Sequence, residues 1–231
     1  MQGFAQQKPH GYAGDFEIIQ RIYARYVSKR PSLENWDLFF HSGEAPAAVR
    51  NRGEMFGNLI NSYRPASILS VGCGPALDVL PSLQRGHLPR QIHLLDNDKK
   101  AIECARSNLA GFREHPVEFL YFFKNALRFR RLRQYDMIWS SGLFDYLNEK
   151  TAIFLLSRLR AMLAPNGRVI LGNFSHVNPS RPYMEIVGEW FLIHRDEQDL
   201  RQMANAAGFD AEKISVTSDV TGVNLFLIAS N

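Results

Sequence analysis

The chain has 231 residues, of which 45% are hydrophobic, and it carries a net charge of +4. This length suits a single domain, and the hydrophobic content excludes an intrinsically disordered chain. Only two cysteines occur, Cys73 and Cys104, which excludes a disulfide-stabilised scaffold and indicates a reducing compartment. The polar N-terminus lacks a signal-peptide pattern, and no apolar run approaches the roughly 20 residues that span a bilayer. We therefore expect a cytoplasmic protein.

Two helices are predicted ahead of the first strand. Residues 14–28 repeat apolar side chains at helical spacing, and residues 47–63 do so again after Pro31 and a loop. The strand and helix alternation begins only after these helices. We therefore expect residues 1–62 to form a helical lid on a core of residues 63–231.

The loop before the first helix has an unusual composition. Gly11 and Gly14 bracket Tyr12, and Asp15 is suited to cap the helix that follows. A plain helix start is the alternative interpretation, but it does not need two glycines around a tyrosine. The pattern favours a shaped loop whose Tyr12 and Asp15 close over a bound ligand.

A glycine turn follows the first predicted strand. The apolar strand 68–71 continues into Gly72-Cys73-Gly74, and a helical pattern runs over 76–84. Strand, tight turn and helix form the arrangement that binds nucleotide-like ligands in doubly wound sheets. Glycine provides positive φ angles and leaves room for the ligand. An ordinary strand-to-helix turn is the alternative, and Cys73 is interpreted as a small packing residue.

The second predicted strand, 91–95, ends in a carboxylate. Asp96 follows the first glycine of the turn by 24 residues, close to the spacing of about 20 at which such folds place an acid for ribose hydroxyls. A helix N-cap is the alternative role, but Asn97 or Asp98 would serve equally well as the cap. The glycine turn and Asp96 together favour a cofactor site.

The rest of the chain continues this alternation. The remaining predicted elements are helix 98–110, strands 117–122 and 135–139, helix 149–163, strand 167–173, helix 196–207, and strands 212–218 and 223–229. Strands alternating with helices predict an α/β fold with a Rossmann-like, doubly wound, mostly parallel sheet of seven strands. Only residues 219–222 separate the last two strands, so they must form a terminal antiparallel hairpin.

A basic cluster at 127–133 raises the question of nucleic acid. Arginines interleaved with aromatic and apolar residues can bind phosphates. The favoured interpretation is a solvated helical turn with Phe129 and Leu132 facing inward. Nucleic acid is therefore not the expected partner, and no metal site is predicted.

The segment 173–195 follows the fifth strand and is a candidate substrate pocket. Ligands of open α/β sheets bind beyond the carboxyl ends of the strands, and an apolar wall with a few polar groups is typical of small-molecule sites. A core helix with a solvated charged face is an equally compatible alternative. The candidate pocket residues are Tyr146, His176, Arg181, Tyr183, Glu185, Trp190 and Arg195.

Five stretches in this order resemble the motifs of the class I S-adenosylmethionine-dependent methyltransferases. They are residues 71–75, 94–98, 119–126, 135–142 and 163–171. The resemblance implies S-adenosylmethionine as cofactor. It also implies a cofactor site made of Tyr12, Asp15, Gly72, Cys73, Gly74, Asp96, Asn97, Asn125, Ala126, Ser140, Ser141 and Gly142. Many members carry an acid two residues before the first glycine, for the methionine amine, where this chain has Ser70.

Two further stretches resemble a narrower bacterial group. These are the Gly-Tyr-Ala-Gly-Asp loop at 11–15 and a segment at 178–195. Some members of that group make hydroxy fatty acid methyl esters that serve as quorum signals. This resemblance implies a small-molecule or lipidic acceptor, such as the carboxylate of a fatty acid.

Two acceptor chemistries remain open. A carboxylate is ionised at neutral pH and needs only a cation, for which Arg181 or Arg195 is the candidate. A hydroxyl would need a general base, for which His176 or Glu185 is the candidate. A nucleic-acid methyltransferase and a non-catalytic cofactor-binding module are the alternative functions.

Overall fold

The computed structural model describes residues 1–84, 89–112, 117–121 and 134–231. Its helices are α1 (Gln2–Gln7), α2 (Phe16–Tyr23), α3 (Pro31–Ser42), α4 (Glu44–Tyr63), α5 (Leu80–Gln84), α6 (Lys99–Asn108), α7 (Glu149–Arg160), α8 (Arg181–Ile186) and α9 (Glu197–Ala206). Its strands are β1 (Ser67–Val71), β2 (Gln91–Asp96), β3 (Val117–Tyr121), β4 (Tyr135–Ser140), β5 (Leu163–Phe174), β6 (Ile214–Ser218) and β7 (Asn224–Ser230).

The strands form one seven-stranded sheet in the order β3-β2-β1-β4-β5-β7-β6. Strands β1 to β5 run parallel to their neighbours among themselves, whereas β7 is antiparallel to both β5 and β6. The predicted Rossmann-like sheet with a terminal antiparallel hairpin is confirmed. The strand order reverses at β1, which places a ligand crevice at the carboxyl ends of β1 and β4.

Helices cover both faces of the sheet, as the continuous apolar character of its strands requires. Successive residues of β1 face opposite sides: Ile68 belongs to a buried cluster with α4, α5 and α6, and Leu69 to one with α7 and α9. A third buried cluster contains side chains of the four helices α1, α2, α3 and α4 together with Phe174 and Trp190. This third cluster holds the N-terminal helices over the crevice.

Several elements differ from their sequence predictions, and the short helices α1 and α8 were not predicted. Helix α3 was not predicted, because its large apolar residues point to several sides and leave Trp36 and Phe39 each 57% exposed. The helix predicted over 76–84 begins only at Leu80. Ala76 adopts a φ of 55°, which is left-handed and cannot start a helix. The glycine turn therefore leads into a loop before α5.

Candidate functional site

A cavity of about 320 Å³ lies at the carboxyl ends of β1, β2 and β4. The N-terminal loop and α2 lie over it. Several predicted site residues line this cavity together: Tyr12, Gly72, Cys73, Gly74, Asp96, Ser141, Gly142, Tyr146 and Trp190. The position is the one that a doubly wound sheet reserves for its ligand.

The glycine turn forms the floor of the cavity. Gly72 and Gly74 have φ angles of 65° and 51°, which side chains other than glycine's rarely allow. The Gly72 amide donates to the Leu95 carbonyl at 2.9 Å, so the turn is fastened to the end of β2. A Cβ on Gly74 would meet no atom within 4 Å. The turn therefore leaves space beside its backbone for a ligand.

Asp96 lies at the end of β2, beside the glycine turn. Its Oδ2 accepts from the Gly74 amide at 2.8 Å and its Oδ1 from the Asp98 amide at 3.0 Å. Asp98, and not Asp96, caps α6, since its Oδ1 accepts from the Lys100 amide. Burial raises the pKa of Asp96. A carboxylate has about four acceptor positions, so Asp96 keeps some for ligand hydroxyls.

The N-terminal loop closes the cavity from above. The Tyr12 hydroxyl donates to Asp98 Oδ2 at 2.9 Å, which ties the loop to the end of β2. Gly14 has a φ of 68° and packs against Tyr146 and Trp190 so closely that a Cβ would lie 1.9 Å from Tyr146 Oη. We call residues 8–15 the lid loop. Tyr12 and Gly14 hold it closed over the cavity.

Asp15 has a different place from the one predicted. It is buried and caps α2, accepting from the amides of Glu17 and Ile18 at 3.0 and 2.9 Å. It does not line the cavity. Asp15 fixes the lid loop to α2 and does not itself face the ligand space.

Three charged residues that were not predicted as site residues also line the cavity: Asp78, Arg52 and Asp145. Asp78 follows the glycine turn and accepts from Trp139 Nε1 and Ser141 Oγ at 2.6 and 3.0 Å. Arg52, on α4, reaches the end of β4 beside Gly142. The sequence signal for Asp78 was a carboxylate within an otherwise apolar stretch, whereas Arg52 stands among other polar residues and gave no such signal.

Arg52 belongs to a buried polar network. It donates to Asn224 Oδ1 at 3.1 Å and to Asp145 Oδ2 at 3.4 Å. Asp145 Oδ1 accepts from the Phe174 amide at 2.7 Å. Burial raises the pKa of Asp145 to about 6, although Arg52 acts in the opposite direction. The network joins α4 to the ends of β5 and β7.

A second cavity, of about 250 Å³, adjoins the first. The two cavities share walls made by Val49, Phe174 and Trp190. The second is lined largely by apolar side chains of α3, α4 and α8: Phe39, Phe40, Ala45, Pro46 and Met184, with Tyr183 also present. Trp190 is held in place by donating from Nε1 to Tyr146 Oη at 2.8 Å.

Residues 69–169 match the family model of the methyltransferase domain. The match covers less than half of the chain and shows a methyltransferase domain in this stretch. Its cofactor is S-adenosylmethionine. No curated protein matches the sequence.

Solved structures share the fold of this methyltransferase. A protein described as a possible exported protein from Bordetella parapertussis superposes with a TM-score of 0.73 at 19% identity, over 94% of this chain and 79% of that one. Magnesium protoporphyrin IX methyltransferase from Synechocystis PCC 6803, with bound SAH, gives 0.66 at 14% identity over 100% and 97%. An O-methyltransferase family protein from Burkholderia thailandensis gives 0.63 at 14% over 94% and 68%.

The cavity of this methyltransferase fits its cofactor in two places. The Cβ-free glycine turn leaves the open space that a ligand fills, and Asp96 retains acceptor positions for ribose hydroxyls. Cys73 lines the cavity as a neutral thiol, because burial raises its pKa. Asn97 is exposed and does not line the cavity. Asn125, Ala126 and the basic cluster at 127–133 lie outside the described residues.

Ser140 is a structural residue of the methyltransferase fold. It is fully buried in β4, and its Oγ donates to the Val71 carbonyl at 2.9 Å. Ser141 and Gly142, which follow it, line the cavity. Within the described ranges, no helix is long and apolar enough to cross a membrane.

The polar residues predicted for the substrate pocket lie elsewhere. His176 is half exposed, with Nε2 3.6 Å from an oxygen of Asp199. Arg181 and Glu185 pair with each other on the outside of α8, at 2.7 Å. None of them lines either cavity. The structure therefore does not place these three side chains in the pocket, since His176 lies near Asp199 and Arg181 pairs with Glu185.

Arg195 is also misplaced by the sequence prediction. It is buried and donates to the carbonyls of Phe144 and Leu147 and to Asn173 Oδ1, at 2.8, 2.6 and 2.6 Å. These bonds tie the chain after α8 to the turn after β4. Because all three acceptors are internal, Arg195 holds the fold together and does not line either cavity.

We expect Arg195→Ala to lower the free energy of unfolding by about 3–5 kcal/mol, since it leaves several buried acceptors without a donor. Arg181→Ala is the matched control, and the loss of its exposed pair should cost less than about 1 kcal/mol. Urea denaturation measures both. An Arg195→Ala protein of wild-type stability with a raised KM for the acceptor would contradict the structural role.

Proposed function

We propose that this methyltransferase transfers the methyl group of S-adenosylmethionine to the carboxylate of a small acid with an apolar, acyl body. The observation that carries the proposal is the apolar second cavity, which adjoins the cofactor cavity at Val49, Phe174 and Trp190. An acceptor whose head group reaches the first cavity would place its apolar body in the second. Burial of that body provides affinity of roughly 25 cal/mol per Å².

We assign the cofactor contacts to the described residues as follows. Gly72 and Gly74 leave the space in which the ligand lies against the turn, and Asp96 accepts from the ribose hydroxyls. The family resemblance also implies Asn97 and Asn125 at the adenine, but Asn97 is exposed outside the cavity and Asn125 lies outside the described residues. Tyr12 closes the lid loop through Asp98, and Asp15 supports that loop by capping α2.

When bound, S-adenosylmethionine supplies an electrophilic methyl group on a sulfonium. The acceptor oxygen would form the new bond to the methyl carbon as the carbon–sulfur bond breaks, and the electron pair of the broken bond would stay on sulfur. The enzyme contributes alignment of the two partners and exclusion of water. The lid loop supplies the exclusion, and Trp190, fixed by Tyr146, supplies a rigid wall for alignment.

A carboxylate acceptor does not depend on a general base in the cavity. It is already ionised at neutral pH and needs no general base. Asp145, which lines the cavity, has both oxygens engaged by Phe174 and Arg52. His176 and Glu185, the bases proposed for a hydroxyl acceptor, lie on the surface. The site therefore favours an acceptor that arrives without a proton to remove.

Filling the second cavity should shift the preference for acceptor length. Ala45 is buried and lines this cavity, so Ala45→Leu takes up space there. We expect kcat/KM for decanoic acid to fall about tenfold, which corresponds to about 1.4 kcal/mol of overpacking. The value for butanoic acid should stay within about twofold of wild type.

The control is Ala47→Leu, two residues further along α4 and outside both cavities. It should leave both acids unchanged within about twofold. Release of S-adenosylhomocysteine, measured with each acid, gives the rates. If Ala45→Leu affects the two acids equally, or neither of them, the second cavity does not take the acyl body.

A further inference from the structure

The amino-acid end of the cofactor lacks its usual partner in this chain. Ser70 occupies the position where many class I methyltransferases have an acid, and it is 1% exposed within β1. A hydroxyl cannot neutralise an ammonium group. The inference below rests on the proposed cofactor site, and asks which residues hold the charged end of the ligand.

Asp78 offers an anionic partner. Its Oδ2 is fixed by Trp139 Nε1 and Ser141 Oγ. Its Oδ1 has no hydrogen bond from the part of the chain that the structure describes, and the residue lines the cofactor cavity. Burial raises the pKa of Asp78, so a cation bound nearby would stabilise its ionised form. One carboxylate oxygen is therefore positioned by the protein, and the other is free for a ligand.

Arg52 offers a cationic partner in the same cavity. Nε and Nη2 are engaged by Asn224 and Asp145, whereas Nη1 has no hydrogen bond among the described residues. Nη1 approaches the turn after β4 so closely that a Cβ on Gly142 would lie 2.7 Å from it. The guanidinium is thus held rigidly, with one nitrogen available at the end of β4.

Tyr23 supplies a third polar atom in this place. Its side chain lines the cavity, and within the described ranges its buried hydroxyl has no acceptor to which it donates. The charges of both Asp78 and Arg52 act on this hydroxyl, so the three groups lie around one region. A buried hydroxyl without an acceptor costs free energy. A ligand group that accepts from Tyr23 would remove that cost.

We propose that Asp78 binds the α-ammonium and Arg52 the α-carboxylate of the methionine part of S-adenosylmethionine, with Tyr23 donating to the same carboxylate. An anionic and a cationic side chain in one cavity match the two opposite charges of the amino-acid end of the ligand. We thus place the amino-acid end of the ligand at Asp78 and Arg52 and its ribose at Asp96, all of which line the same cavity. Asp78 thus takes the role that Ser70 cannot fill.

Calorimetric titration with two ligands tests the assignment. S-adenosylhomocysteine carries the amino-acid end, and 5′-methylthioadenosine shares the nucleoside and thioether but lacks that end. For Asp78→Asn we expect the Kd of S-adenosylhomocysteine to rise at least tenfold, and that of 5′-methylthioadenosine to stay within about twofold of wild type. The second ligand also reports whether the variant is folded.

Arg52→Lys tests the other half of the assignment. Lysine keeps the charge but loses the planar fork. We expect Arg52→Lys to raise the Kd of S-adenosylhomocysteine at least fivefold. The Kd of decarboxylated S-adenosylhomocysteine, which lacks the carboxylate but keeps the amine, should not change. This variant decides the matter if Asp78→Asn does not fold.

The outcomes separate this inference from the proposed function. If wild type binds neither S-adenosylhomocysteine nor 5′-methylthioadenosine, the cofactor site itself is wrong. If wild type binds both, and each substitution weakens both members of its ligand pair equally or weakens neither, the cofactor site stands. In that case the assignment of Asp78 and Arg52 is overturned.

Discussion

Replacing Asp96 with alanine should weaken the binding of S-adenosylhomocysteine by more than a hundredfold. Two ribose hydroxyls lose a charged acceptor, which corresponds to about 3 kcal/mol. The change also releases the Gly74 amide, whose bond to Asp96 Oδ2 orders the glycine turn. Calorimetric titration of both proteins measures the loss.

The control for Asp96 is its neighbour Asp98. Asparagine is as good a helix cap as aspartate, so Asp98→Asn keeps the cap on α6 through Oδ1. Its Nδ2 takes the place of Oδ2 and donates to the Tyr12 oxygen, so the contact is kept with its direction reversed. We expect the affinity to change less than about threefold. Equal, small effects of both substitutions would place the ribose away from Asp96.

A methyl group added at Gly14 should prevent the lid loop from closing. The Cβ would lie 1.9 Å from Tyr146 Oη and 2.9 Å from Trp190 Cζ2, and the φ of 68° adds strain. Overpacking of this kind costs about 1–3 kcal/mol. We expect Gly14→Ala to raise the Kd of S-adenosylhomocysteine at least tenfold and to lower turnover by a similar factor.

A substitution at Gly11 separates the steric clash from the backbone strain. Its φ of 86° is also left-handed, but a Cβ there would meet no atom within 4 Å. Gly11→Ala therefore carries the backbone strain without the clash, and its Kd should stay within about threefold of wild type. If both variants bind equally well, closure of the lid loop over the cavity plays no part in binding.

The sequence predicted the sheet and the glycine turn well, because both depend on local pattern. Periodicity places β1, and its turn needs positive φ at Gly72 and Gly74. Five parallel strands and a short hairpin then leave few topologies. The cofactor end of the site follows, since the carboxyl ends of β1 and β2 meet at one edge of the sheet.

The polar lining of the cavity could not be predicted in the same way. Asp78 and Arg52 are 26 positions apart in the sequence, and only the packing of α4 beside the glycine turn brings both to the cavity. In the sequence of the segment after β5, nothing distinguishes an arginine that binds a ligand from one that holds two loops together. Arg195 is the second kind, because its neighbours in space are backbone carbonyls.

The most direct measurement follows a deuterated methyl group from S-adenosylmethionine into the lipid and small-acid extract of cells. We predict that the enzyme transfers the label to acids with an apolar chain. Mass spectrometry should find a labelled methyl ester, and mild alkaline hydrolysis should release the label as methanol. A label that resists hydrolysis, or that enters only nucleic acid, would contradict the carboxylate acceptor. Cofactor binding without any labelled product would indicate a non-catalytic module.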